Sequence, residues 1–291
     1  MSEPSDFGVR PRATGPWGSA DDAAPADAAT TSPLVDPAAA RRVSPNALIL
    51  LAAFLAAGAG LAFLPAPPRA LTFAFVVLGW LLSLIVHEFG HAYVAFRGGD
   101  TSVLGRGYLT LDPLRYINNF TTLLLPLMAL ALGGIGLPGG AVQLDPRLIR
   151  SRTWLSMTSL AGPAGTLIVL IVLVAVLAGL TAGGLRDSPL ASAVALLAFF
   201  QVTALILNLL PVPGLDGFGA LQPFLPASVI RSLAPVAPMA IIALFAALMF
   251  IPGVSRLLLE GAFFVVHLLG VTAKQFIEGF NAFRFWTTPG A

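Results

Sequence analysis

Between Leu71 and Phe96 the chain is apolar almost without interruption, and from Val77 to Val86 it carries no charge at all. A run of this kind is long enough to cross the hydrocarbon core of a bilayer as one helix. Comparable runs recur along the sequence, separated by links that carry Pro, Gly and Arg. Of the 291 residues, 57% are hydrophobic and 10% charged, where a soluble domain carries about 25% charged residues. The expected fold class is therefore an all-α polytopic membrane protein with about six transmembrane helices. They fall near residues 45–64, 70–96, 155–182, 190–210, 236–250 and 257–280.

Three ionisable side chains, His87, Glu88 and His91, interrupt the second run within one helical turn. Such groups are costly inside a span and normally mark function. Histidines four apart on a helix share a face, so both imidazoles reach one ion, and Glu88 beside them can act on water held there. His-Glu-x-x-His is the zincin pattern: two Zn2+ ligands and a general base. The pattern also arises by chance, but two of the chain's three histidines lie in it, within a span. With no cysteine in the chain, thiolate ligands and disulfides are excluded. A catalytic zinc commonly takes a third protein ligand. The best candidate is Asp216, in the Pro/Gly-broken stretch Asn208–Gly217 that closes the 190–210 run; the competing reading of Asp216-Gly217 is an ordinary interfacial turn.

Residues 1–43, rich in Ala, Pro, Asp and Ser, read as a disordered cytoplasmic tail. No apolar segment of a signal peptide follows their arginines. Residues 44–283 form the membrane-embedded domain, with core spans at 70–96, 155–182 and 190–212, and 284–291 a C-terminal tail. Arg41-Arg42 favour a cytoplasmic N-terminus, which puts 65–69 outside and His87 and His91 toward the cytoplasm. The region 97–153 reads as a small β/re-entrant insert. Tyr108–Leu111 and Ala141–Leu144 have strand character, bounded by turn signals. Residues 120–137, broken by Pro126, Gly133, Gly134 and Gly136, are long enough either to cross or to fold back. Folding back brings Asp216 to the same side as His87 and His91, and places Arg147, Arg150 and Arg152 inside. The net charge of +2, from scattered arginines, argues against a nucleic-acid partner.

On these residues the sequence resembles the site-2 protease family of intramembrane zinc metalloproteases. The resemblance extends over roughly residues 45–250. His87-Glu88-Phe89-Gly90-His91 matches its first motif, and Asn208, Pro211 and Asp216-Gly217 match the motif that supplies the third ligand. Thr110–Leu114 and Leu160–Pro163 also look like family segments. The resemblance implies peptide-bond hydrolysis in or near a transmembrane segment by zinc-bound water that Glu88 activates. His87, His91 and Asp216 would be the ligands, and the substrate segment would unwind beside the 97–153 sheet. Asn208 would contact substrate backbone or oxyanion, or merely bind helices together. The substrate would be a membrane protein or a remnant signal peptide; oligomeric state stays open. No insert long enough for a PDZ or nucleotide-sensing domain is apparent, which suggests a minimal form. The family often carries Asn where this chain has Thr166, which leaves a polar packing role there in question. Rival readings are a catalytically silent scaffold or chaperone, against which Glu88 speaks, and a zinc transporter, which would show more ligands along the spans. Gln201 would line a cavity or bond a neighbouring helix, His267 would be interfacial, and the aromatics of Phe276–Trp286 would form an interfacial belt.

Overall fold

The computed structural model describes residues 43–116 and 142–287. Helix α1 (Pro45–Phe63) starts where Ser44 Oγ accepts the Asn46 N–H and Pro45 takes the first helical position, both ordinary helix-starting devices. After a Pro-rich link, α2 (Arg69–Gly98) runs for 30 residues, about 45 Å of rise against a hydrocarbon core of about 30 Å. It stops at Gly99, whose φ is +121° and where a Cβ would lie 2.6 Å from the Leu148 carbonyl oxygen. Two single turns follow, α3 (Ser102–Gly105) and α4 (Pro113–Tyr116).

Helix α5 (Arg152–Ala182) and helix α6 (Pro189–Asn208) are capped by Ser151 and Ser188, which accept the N–H groups of Trp154 and Ala191. The Arg150 N–H donates to the Gly98 carbonyl, so the chain leaves α2 and enters α5 at the same end of the bundle. These two helices share the most extensive pairing among the described residues. Small residues allow it: a Cβ on Gly90 would lie 2.4 Å from the Ala161 carbonyl oxygen, and one on Gly165 2.8 Å from that of Val86. Close backbone approach of this kind is how helices associate in lipid, where apolar side chains alone give little driving force. Helix α6 is wrapped by its neighbours and buried along nearly its whole length. Its polar residues Gln201, Thr203 and Asn208 therefore face protein.

Beyond α6 come α7 (Asp216–Leu221), a 3-10 turn at Gln222–Phe224 and α8 (Ala227–Leu233). Helix α9 (Ala237–Phe250) and helix α10 (Pro252–Leu268) follow, then α11 (Ala273–Phe283). Among the described residues four helices, α1, α2, α5 and α6, are long and apolar enough to cross a membrane; a fifth crossing arises if α9 and α10, bent by 88° at their junction, count as one broken span. These residues give four or five crossings, against the six expected. Pro252 interrupts the apolar sequence after only 14 helical residues of α9, about 21 Å. Gly270 (φ +93°) and the Thr272–Gln275 capping box split the expected 257–280 span into α10 and α11. Of the aromatics in 276–286, Phe276 packs on Phe199, and Phe283 on Phe200 and Phe73, so these two rings cover α6 and α2, while Phe285 and Trp286 are exposed. Lys274 pairs with Asp187 at 2.8 Å and holds that carboxyl below its usual range. Arg69 donates to the carbonyls of Asn281, Arg284 (2.9 Å) and Thr287 (2.8 Å), fastening the end of α11 to the start of α2.

The expected strands are absent among the described residues. Around Tyr108–Leu111 the backbone closes hydrogen-bonded turns, Tyr108 N to Val103 O and Thr110 N to Gly107 O, with Gly107 at φ +70°. Those groups have no freedom left for a ladder. Val142–Asp145 donates its N–H groups to side chains instead: Val142 to Glu88 Oε2, Gln143 to Tyr108 Oη, Asp145 to Asp100 Oδ2. Buried Asp100 also accepts from Ser102, through both its N–H and its hydroxyl. Tyr116 donates its hydroxyl to the Tyr108 carbonyl at 2.6 Å, and burial pushes that phenol up. The 120–137 segment, the first 42 residues and the last four lie outside the described residues.

Candidate metal centre

Helix α2 carries His87 and His91 on the face turned to α5, one turn apart, with their Nε2 atoms 3.1 Å from each other. The chain reaches them a second time after α6. Pro211, Pro213 and Gly214 (φ +96°) end the helix, and α7 begins with Asp216. Its Oδ2 lies 3.1 Å from His87 Nε2 and its Oδ1 3.3 Å from His91 Nε2. The next residue must be small, because a Cβ on Gly217 would lie 2.2 Å from the Leu209 carbonyl oxygen. The donor atoms of His87, His91 and Asp216 all fall within 4.8 Å of one another, a grouping that can hold a metal ion. Asp216 Oδ2 is buried without a hydrogen bond of good geometry. Gly162 of α5 leaves the space in front of the rings open: a Cβ there would lie 2.1 Å from His91 Nε2 and 2.6 Å from His87 Nε2.

The far nitrogen of each ring is tied to α5. His87 Nδ1 meets Thr166 Oγ1 at 2.9 Å, and His91 Nδ1 meets the Thr158 carbonyl at 2.7 Å. Glu88 sits on the neighbouring position of α2, buried, its Oε2 accepting the Val142 N–H at 3.1 Å. Asn208, the last residue of α6, is buried and makes no side-chain hydrogen bond among the described residues. Gln201 is buried and its Oε1 accepts the Ser83 hydroxyl of α2. His267 is exposed and outside the group.

Of the residues singled out by sequence, the structure brings His87, His91 and Asp216 together with Glu88 alongside. Thr158 and Val142 were not singled out, and Gly162 only as part of the Leu160–Pro163 segment, with no role at the metal centre. Two act through main-chain atoms and the third through having no side chain, and no residue-type pattern reports such contributions. Thr166 was noticed, but its partner was not.

Relatives of known name give the family. A protein of Mycolicibacterium smegmatis named "Putative zinc metalloprotease Rip2" is 42% identical over 253 residues, 84% of this chain and 95% of that one. Its namesake in Mycobacterium tuberculosis is 42% identical over 225 residues, 74% of this chain and 82% of the relative. The chain belongs to the site-2 protease family. A more distant relative of the family, from Bacillus subtilis and named "Putative zinc metalloprotease YwhC", is 28% identical over 162 residues, 53% of this chain and 71% of that protein. No family model and no solved structure matches the chain. As a site-2 protease relative it has several helices long and apolar enough to cross a membrane, and the motif residues fall at the one clustered group of potential metal ligands found among the described residues.

Proposed function

We propose that this chain is an intramembrane zinc metalloprotease that hydrolyses a peptide bond in or near the transmembrane segment of a membrane-protein substrate. The observation that carries the reading is the convergence of His87, His91 and Asp216 on one point with Glu88 beside them. The donor set suits zinc: two imidazole nitrogens and one carboxylate, with room for a further ligand. The buried, unbonded Asp216 Oδ2 and the space that Gly162 leaves in front of both rings fit an ion there. Bound zinc supplies a Lewis acid that polarises a carbonyl and makes water acidic near neutral pH.

The chain's own residues supply the rest. Glu88 takes the proton of the attacking water on a carboxylate oxygen and delivers it to the leaving amide nitrogen. Asn208, with its amide unengaged among the described residues, donates to the substrate backbone or to the oxyanion that develops on the scissile carbonyl. Substrate must present an unwound backbone, since a helical carbonyl already accepts the N–H four residues further along the chain. The site opens to the cytoplasm, the side to which Arg97, Arg147, Arg150 and Arg152 at the same end of the bundle belong by the charge rule.

Glu88→Gln in purified protein is expected to abolish cleavage of a transmembrane substrate and to leave zinc content unchanged. His87→Ala and Asp216→Ala are each expected to lose zinc and activity together. Cleavage by Glu88→Gln at the wild-type rate would overturn the assigned base, and one zinc per chain in Asp216→Ala would overturn the ligand set.

A further inference from the structure

We propose that Thr166 is a positioning residue of the metal centre: its hydroxyl holds the His87 ring in the orientation and tautomer that present Nε2 to an ion. The inference rests on the zinc reading above and adds a residue to it. His87 Nε2 faces Asp216 and His91, so its lone pair must stay free for an ion. A neutral imidazole has one proton, which then sits on Nδ1 and needs an acceptor. The ring is buried within the helix bundle, where an unpaired N–H is costly. Thr166 Oγ1, itself buried, stands 2.9 Å from Nδ1.

Two features separate this contact from ordinary helix packing. Thr158 and Thr181 lie on the same helix and turn their hydroxyls back onto it, to the carbonyls of Trp154 and Leu177. The Thr166 hydroxyl makes no such bond; its partner is His87. The backbone also brings it there. A Cβ on Gly165 would lie 3.3 Å from His87 Cα, so the helices touch at the residue next to Thr166. His91 is served differently, by the Thr158 carbonyl, a main-chain acceptor that no substitution at position 158 removes. Thr166 is thus the one ring support at this centre that mutation can delete cleanly.

The test compares Thr166→Val, which keeps the shape and deletes the hydroxyl, with Thr166→Ser, which keeps the hydroxyl and deletes the methyl. Zinc affinity is measured by competition with a chromogenic chelator, and the Co2+-substituted protein is read by its visible absorption. Thr166→Val is expected to bind zinc about 10- to 100-fold more weakly with an altered cobalt spectrum. Thr166→Ser should stay within a few-fold of wild type with the wild-type spectrum. Thr166→Ala serves as a second hydroxyl-free variant should the valine chain fail to fold. Wild-type affinity and spectrum in a folded hydroxyl-free variant overturn the inference, as does an equal loss in Val and Ser, while leaving the protease reading intact. A wild-type chain that binds no zinc overturns the protease reading and this inference with it.

Discussion

At the level of single residues, the site was legible where chemistry is written in side chains. His87, Glu88 and His91 announce themselves by spacing, and Asp216 by closing an apolar run in a Pro/Gly break. What was not legible acts by omission or through the main chain. Gly162 is the clearest case, since its contribution is the absence of a Cβ that would stand 2.1 Å from His91 Nε2. Gly162→Ala should therefore displace both rings. Zinc content of the purified variant is expected to fall to a small fraction of wild type, with the helical circular-dichroism signal preserved. Full zinc occupancy in that variant would show that the rings have room the structure does not give them. The Val142 N–H on Glu88 Oε2 was hidden for a different reason: a backbone donor has no residue type, and any amino acid but proline could supply it.

At the level of elements, apolar length predicted the helices that are continuous and failed where short breaks intervene. The long runs of α1, α2, α5 and α6 were placed to within a few residues, because an uninterrupted apolar sequence in lipid has no alternative to helix. The 236–250 run was placed as α9, though at 14 residues it is short for a crossing, and 257–280 misled because Gly270 falls inside a composition that still averages apolar. The strands failed because their N–H groups are already taken by turns and by Asp100, Glu88 and Tyr108 side chains. The outcome for α11 carries a prediction. Phe283, fully buried between Phe73 and Phe200, anchors this helix near the start of α2, remote along that helix from His87. Phe283→Ala is expected to lower stability in detergent by about 3 kcal/mol, read from thermal unfolding, while zinc affinity stays at the wild-type value. A coupled loss of zinc affinity would mean that α11 supports the metal centre as well as the bundle.

For the whole molecule, the ligand set fixes relative topology. His87, His91 and Asp216 can meet only if the ends of α2 and α6 share a side, and the Arg150–Gly98 contact puts the start of α5 there as well. Absolute orientation rests on the arginines, and the absence of cysteine from the chain makes it directly measurable. With Ala66→Cys and Arg147→Cys introduced singly, both at exposed positions, an impermeant maleimide added to intact cells is expected to label Ala66→Cys. Arg147→Cys should react only after permeabilisation. The reverse pattern would turn the active site to the outside.

The two halves of the ligand set are far apart in the chain, one in the C-terminal half of α2 and the other beyond α6, and the ring supports come from α5. An ion held there would act as a rivet through three separate stretches of the bundle, so its binding free energy would be drawn partly from holding them together. Stripping it with a strong chelator should then lower the melting temperature of the whole helix bundle and speed proteolysis at the α6–α7 junction. Restoring zinc should reverse both. Metal supply would in this way set the lifetime of the protein as well as its activity.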